Sequence, residues 1–88
     1  MRKRVRYSGR VQGVGFRVTV YGIAARFPVS GWVRNEPDGD VLLEVQGADA
    51  DVAAVLAEVR SVMARNILAA DEIAVQPATG ESEFTIQR

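Results

Sequence analysis

The sequence contains neither cysteine nor histidine. Without cysteine the chain has no disulfide, no thiolate nucleophile and no zinc–thiolate site. Without histidine it lacks the residue that most often serves as a general base or as a metal ligand. The acidic residues show no spacing that predicts a metal site or a catalytic carboxylate pair. Any chemistry must therefore use arginines, amide groups, isolated carboxylates and the backbone.

Long apolar runs are also missing. The basic stretch MRKRVRYSGR at the amino terminus is followed by no apolar run like that of a signal peptide, and no segment approaches a membrane span. The hydrophobic share of 48% and the charged share of 25% among 88 residues are typical of globular proteins. We expect a single domain over residues 1–88, a cytoplasmic location, no membrane partner and a monomer.

Charges of opposite sign are separated along the chain. Residues 1–34 contain eight basic residues and no acidic one, whereas residues 35–88 contain three basic residues and all eleven acidic ones. This asymmetry predicts an anionic ligand on the first half, such as nucleic acid or a phosphate compound. It is explained equally well by ion pairs between neighbouring strands, and both interpretations stay open at this point.

Hydrophobic periodicity predicts five strands and two helices. Residues 4–11 alternate with a period of two, which indicates a half-buried strand with Val5, Tyr7 and Val11 on one face. A helix should follow and end before Pro28. Strands are predicted at 29–35 and 40–46 around the turn EPDG, a second helix capped by Asp49 or Asp51, and further strands at 71–77 and 83–88.

This order of elements predicts an α+β fold of the ferredoxin-like, split βαββαβ type. Two helices would cover one face of an antiparallel sheet, and a small fifth strand would be added at the end. The other face would stay open and would display the arginines of the first strand. Because this fold carries many unrelated activities, function has to be argued from a site.

The stretch GRVQGVGFR, residues 9–17, leads from a strand through glycines into a helix. It lacks the Lys-Ser/Thr ending of a Walker A loop and the third glycine of a dinucleotide fingerprint. The amides of residues 13–17, the helix dipole and Arg17 could together bind a phosphate or carboxylate group. A structural turn with a solvated arginine is the alternative. A basic residue is unfavourable at a helix amino terminus unless an acid or an anion is near, which favours the anion site.

The second candidate stretch is GWVRNEPDG, residues 31–39, in which Asn35 stands between a strand and a turn. Asparagine is common in turns, so the residue needs no functional explanation by itself. We expect a function for Asn35 only if the fold brings it beside the loop of residues 13–17.

The two stretches together resemble the acylphosphatase family. GRVQGVGFR is similar to the first family signature, G-x-V-Q-G-V-x-F-R, and GWVRNEPDGDVLLEVQG is similar to the second, G-W-V-R-N-x-x-x-G-x-V followed by a further glycine. The length of the chain and the order of its elements also fit. Because the chain ends at Arg88, we expect a small stand-alone enzyme rather than part of a multidomain carbamoyltransferase. Those carbamoyltransferases resemble the chain in having tyrosine at the position of Tyr21.

The resemblance implies a reaction and a set of site residues. The reaction is hydrolysis of the carboxyl–phosphate bond of an acyl phosphate to a carboxylate and inorganic phosphate, without a metal or another cofactor. Arg17 and Asn35 take the catalytic positions, with Arg17 on the phosphoryl group and Asn35 on the attacking water. The phosphate-binding loop consists of Gln12, Gly13, Val14, Gly15, Phe16 and Arg17.

Two other functions remain as alternatives. A domain that binds phosphate or carbamoyl phosphate without turnover would use the same loop. An RNA-binding module would use the basic first half on the open sheet face, but such modules need stacking aromatic residues there, and only Trp32 is available.

Overall fold

The computed structural model describes all residues from 1 to 88 and contains two helices and five strands. In chain order these are β1 (Arg2–Gly9), α1 (Phe16–Ala24), β2 (Ser30–Asn35), β3 (Val41–Gln46), α2 (Asp49–Val62), β4 (Ile67–Val75) and β5 (Phe84–Gln87). Neither helix combines the length and the apolar content needed to cross a membrane.

The strands form one sheet in the order β4-β1-β3-β2-β5. The pairs β1–β3, β1–β4 and β2–β3 are antiparallel, as predicted for a ferredoxin-like α+β fold, and that fold class is confirmed. The short strand β5 lies beside β2 and pairs with it in parallel, which makes the complete sheet mixed. Through this pairing the end of the chain reaches α1.

The core lies between the helices and one face of the sheet. Val5 and Tyr7 of β1 are buried there, as the period of two predicted, and the ring of Tyr7 lies 5.0 Å from the ring of Phe16 at the start of α1. The remaining core consists mainly of β-branched and leucine side chains: Val11, Val20, Ile23, Val33, Val41, Leu43, Val45, Val52, Val55, Leu56, Val59 and Met63.

Helix α1 ends before Pro28, as predicted, whereas the predicted cap of α2 is wrong. Helix α1 ends at Ala24, because the N–H groups of Arg26 and Phe27 bond to carbonyls three residues earlier and tighten the chain ahead of Pro28. Phe27 lies outside the helix but still packs against the core. The cap position of α2 is Ala48, so Asp49 is already helical and neither predicted aspartate caps through its side chain.

Strand β4 begins at Ile67, four residues earlier than the predicted 71. The added residues include Ala69 and Ala70, which pair with Ser8 and Tyr7 of β1. Alanine has a low intrinsic preference for strands, so the sequence pattern of these residues does not predict a strand. Long-range pairing with β1 decides the conformation instead.

The face of the sheet away from the helices carries ion pairs. Arg2 contacts Glu44 at 2.6 Å and Glu81 at 2.7 Å, and Arg4 contacts Glu44 at 2.6 Å. Arg6 contacts Asp40 at 3.2 Å and two further acids of the β2–β3 turn. The arginines of β1 are therefore balanced by carboxylates of the second half, and Arg2 is buried rather than displayed.

Candidate active site at the start of the first helix

The loop from β1 to α1 turns through two glycines in the left-handed region. Gly13 has φ +75°, and Gly15, at the cap position of α1, has φ +77°. Side chains other than glycine rarely adopt this conformation. An added Cβ would meet no atom within 4 Å at either position. The backbone conformation, rather than crowding inside the protein, therefore requires glycine here.

The backbone of this loop offers a group of free donors. The N–H groups of residues 13–18 donate no hydrogen bond within the chain, and the first N–H of α1 to do so is that of Thr19, to the Gly15 carbonyl at 3.0 Å. The amino terminus of a helix also carries about half a positive charge. Free amides together with this dipole are the features by which helix amino termini bind anions.

Two side chains of the loop fix its position instead of facing a ligand. The Nε2 atom of Gln12 donates to the carbonyls of Glu36 at 2.8 Å and Asp40 at 2.9 Å. Phe16 is buried against Tyr7. The first contact ties the loop to the β2–β3 turn, and the second ties it to the core. Val14, between them, is exposed.

Arg17 lies in the first turn of α1 and makes no ion pair. Its Nη1 atom donates to the backbone carbonyl of Gln87 at 3.2 Å. Six of the eight basic residues in the first 34 do form ion pairs, namely Arg2, Lys3, Arg4, Arg6, Arg26 and Arg34. Arg17 therefore adds an unbalanced positive charge next to the free amides.

The fold brings Asn35 beside the glycine loop. Asn35 is the last residue of β2, and its side chain has no hydrogen-bond partner in the chain. It lines a small cavity of about 130 Å³ together with four of the six predicted loop residues, whereas Gln12 and Val14 do not line it. The other lining residues are Val11, Gly13, Gly15, Phe16, Arg17 and Val18. Both stretches singled out in the sequence thus meet at one cavity.

The residues that line this cavity include one positively charged side chain and no side chain that could act as a general base. Arg17 is the cavity's only charged lining residue. The Asn35 amide can donate to and accept from a water molecule. The cavity can therefore bind an anion and orient water. Across the whole chain, no three carboxylates lie close enough to hold a metal ion.

One contact of the site was missed by sequence reasoning. The Gln87 carbonyl that accepts from Arg17 belongs to β5, seventy residues away along the chain. Because a backbone carbonyl is present at every residue, no sequence pattern identifies this contact. Only the pairing of β5 with β2 brings the end of the chain to α1.

Curated relatives and solved structures are similar to this chain. An acylphosphatase of Rhizobium etli is 53% identical over 57 residues, which cover 65% of this chain and 61% of that protein. The chain thus spans about three fifths of the length of this relative. An acylphosphatase of Methanothrix thermoacetophila is 37% identical over 94% of this chain and 92% of its own length.

The structural comparison gives the same result. The acylphosphatase of Bacillus subtilis superposes with a TM-score of 0.87 and 26% identity, over 99% of this chain and 98% of its own. HypF of T. kodakarensis superposes with a TM-score of 0.85 and 25% identity, but this chain covers only 12% of it. The family model described as Acylphosphatase matches residues 3–86. The chain therefore belongs to the acylphosphatase family.

Proposed function

We propose that the protein hydrolyses acyl phosphates to a carboxylate and inorganic phosphate. The observation that carries this proposal is the cavity in which free amides of residues 13–18, the unpaired Arg17 and the unpartnered Asn35 amide occur together. Membership of the acylphosphatase family supports it.

In this mechanism the loop of residues 12–17 holds the phosphoryl group. Its amides and the Arg17 guanidinium bind the non-bridging oxygens, which carry most of the charge in the transition state. Gln12 and Phe16 keep the loop backbone in place through the contacts described above. Gly13, Val14 and Gly15 contribute through their backbone.

Asn35 orients the attacking water. The water oxygen bonds to phosphorus, the bond from phosphorus to the bridging oxygen breaks, and the carboxylate leaves with the bonding electrons. Both protons of the water remain on the phosphate product, which leaves as dihydrogen phosphate and then equilibrates with solvent. A carboxylate is a good leaving group that needs no proton from the protein, so the mechanism requires positioning and charge stabilisation but no histidine, thiol or metal.

Alanine variants of the two catalytic candidates test the mechanism. Removal of a group that stabilises the transition state typically costs two to three orders of magnitude in rate, so we expect Arg17→Ala and Asn35→Ala each to lower kcat/KM for acetyl phosphate at least about a hundredfold. Arg65→Ala is the matched control, because Arg65 is exposed, makes no ion pair and does not line the cavity. Near-normal turnover by either folded site variant contradicts the proposed mechanism.

Phosphate binding separates this proposal from a domain that binds without turnover. Free phosphate should inhibit competitively, because product and substrate phosphoryl group occupy the same loop. If the protein binds phosphate in an Arg17-dependent manner but hydrolyses no acyl phosphate, the binding domain is the correct function instead.

The open sheet face favours a small-molecule partner over nucleic acid. The arginines of β1 are already paired with carboxylates, and the guanidinium of Arg34 covers the ring of Trp32 at 4.7 Å. The only aromatic residue expected to stack with bases is thus occupied. We also infer that the protein acts as a monomer, since one chain supplies every group of the proposed site, and the cytoplasmic location stays a prediction from the sequence.

A further inference from the structure

A second, larger depression lies next to the proposed site. It is a groove of about 460 Å³ between α1 and β5, and seven of its nine lining residues are hydrophobic. Tyr21 and Ala25 form the helical wall, whereas Phe84 and Ile86 form the wall on β5. No part of the mechanism above uses this groove.

The groove begins about one helical turn beyond the loop of residues 12–17. Tyr21 stands four residues after Arg17 on α1, so the two side chains lie on the same face of the helix, about one turn or 5–6 Å apart. Arg17 also donates to the Gln87 carbonyl, which directly follows Ile86 on β5. Arg17 therefore connects the two walls at the end of the groove nearest the loop.

Exposed apolar side chains follow the same path. Val18, Tyr21 and Ala25 are separated by three and four residues, the spacing of one face of a helix, and Val14 lies in the loop just before α1. Val14 is 38% exposed, Val18 69% and Tyr21 46%. The opposite face of α1 already supplies the core with Phe16, Val20 and Ile23. The exposed apolar stripe is thus not needed for folding and is available to a ligand.

We propose that this groove binds the acyl group of the substrate and that Tyr21 makes the site select aromatic or large aliphatic acyl groups over acetyl. This inference rests on the proposed function. The acyl carbon is separated from phosphorus by only the bridging oxygen, so a phosphoryl group on the loop places the acyl substituent at the beginning of the groove. Burial of that substituent against Tyr21, Phe84 and Ile86 removes apolar surface from water.

Steady-state kinetics with two substrates test the selection. Wild-type protein should have a higher kcat/KM for benzoyl phosphate than for acetyl phosphate. Tyr21→Ala should lower the value for benzoyl phosphate about fivefold or more and change the value for acetyl phosphate less than about twofold. Tyr21→Phe should keep the preference, because the ring remains. Leu68→Ala is the control, since Leu68 is an 85% exposed apolar residue on β4, outside the groove.

Binding of unreactive analogues gives a readout that does not depend on turnover. Benzoylphosphonate and acetylphosphonate carry the same anionic end but cannot be hydrolysed at a bridging oxygen. Tyr21→Ala should weaken benzoylphosphonate about fivefold and leave acetylphosphonate unchanged, whereas Arg17→Ala should weaken both. If benzoylphosphonate binding depends on Tyr21 but no acyl phosphate is hydrolysed, the proposed hydrolase activity is wrong, whereas the groove is still supported as the binding site of the acyl group. If Tyr21→Ala affects both analogues equally or neither, the groove is not the acyl site.

Discussion

Arginines of the first half have different roles that depend on the carboxylates around them. Arg2, with carboxylates at 2.6 and 2.7 Å, is buried and neutralised, whereas Arg17 has only a backbone carbonyl as partner. A cation in the first turn of a helix is disfavoured by about 0.3–1 kcal/mol through the dipole. No acid offsets this cost at Arg17. An anion bound by the loop would offset this unfavourable interaction with the dipole. The position of Arg17 is therefore better explained by an anion-binding site than by a solvated surface arginine.

Substitution of Gly15 tests whether the left-handed conformation at the cap of α1 is the reason that glycine is needed there. Gly15→Ala should lower the free energy of unfolding by about 1–2 kcal/mol, because alanine is strained at φ +77° although it has space. Gly22→Ala is the matched control, since Gly22 lies inside α1 and an added Cβ there also meets no atom within 4 Å. It should stabilise the protein by about 0.5–1 kcal/mol.

The two glycine variants are compared by urea unfolding. The midpoints should move in opposite directions while the dependence on urea concentration stays the same. Equal shifts in the same direction would show that the left-handed conformation of Gly15 is not what requires glycine there.

At the scale of elements, the site depends on how the glycine loop is attached to the β2–β3 turn. The loop contributes the amides and the end of β2 contributes Asn35, so their distance is set by whatever joins the two segments. The Gln12 amide is the side chain that joins them, through the carbonyls of Glu36 and Asp40. We therefore expect Gln12 to act as a positioning residue that does not need to touch the substrate.

Two glutamine variants test this positioning. Gln12→Ala should lower stability by about 1–2 kcal/mol and also lower kcat/KM for acetyl phosphate about tenfold or more, because the loop is no longer held beside Asn35. Gln46→Ala also removes two bonds to the backbone, with Ala78, together with a bond accepted from Arg2 at 3.0 Å, but far from the cavity. It should cost similar stability and leave kcat/KM unchanged. Equal activity of both variants would show that Gln12 has only a structural role.

Sequence patterns predicted elements well where local and tertiary preferences agree. The alternation in β1 placed Val5 and Tyr7 in the core, and the glycine loop was placed before α1. The start of β4 was missed because the preference of Ala69 and Ala70 is weak and pairing with β1 decides. Arg17 and Asn35 were predicted as partners from their motifs, but their common cavity depends on packing that spacing does not encode.

At the scale of the whole molecule, the charge asymmetry of the sequence becomes a network across the sheet. Burial works against ionisation of Glu44, but hydrogen bonds from Arg2 and Arg4 outweigh it and hold the Glu44 pKa below its ordinary value. The hydrogen bond from Arg2 likewise lowers the pKa of Glu81. Glu81 precedes β5, so this network also secures the segment that leads to the wall of the groove. The sequence alone could not distinguish this network from a basic ligand surface.

This network predicts a loss of stability in acid. Both glutamates have lowered pKa values in the folded protein, so their contribution is complete above the unfolded glutamate pKa of about 4.3 and is lost as the pH falls through the folded values. Glu81→Gln should lower the free energy of unfolding by about 1–2 kcal/mol at pH 7 and by less at pH 3.5. Glu72→Gln, which removes a surface pair with Lys3 at 3.5 Å, should cost under about 1 kcal/mol. Urea unfolding at both pH values measures these differences. If Glu81→Gln lowers the free energy of unfolding by the same amount at pH 3.5 as at pH 7, the ion pair between Arg2 and Glu81 does not control stability in acid.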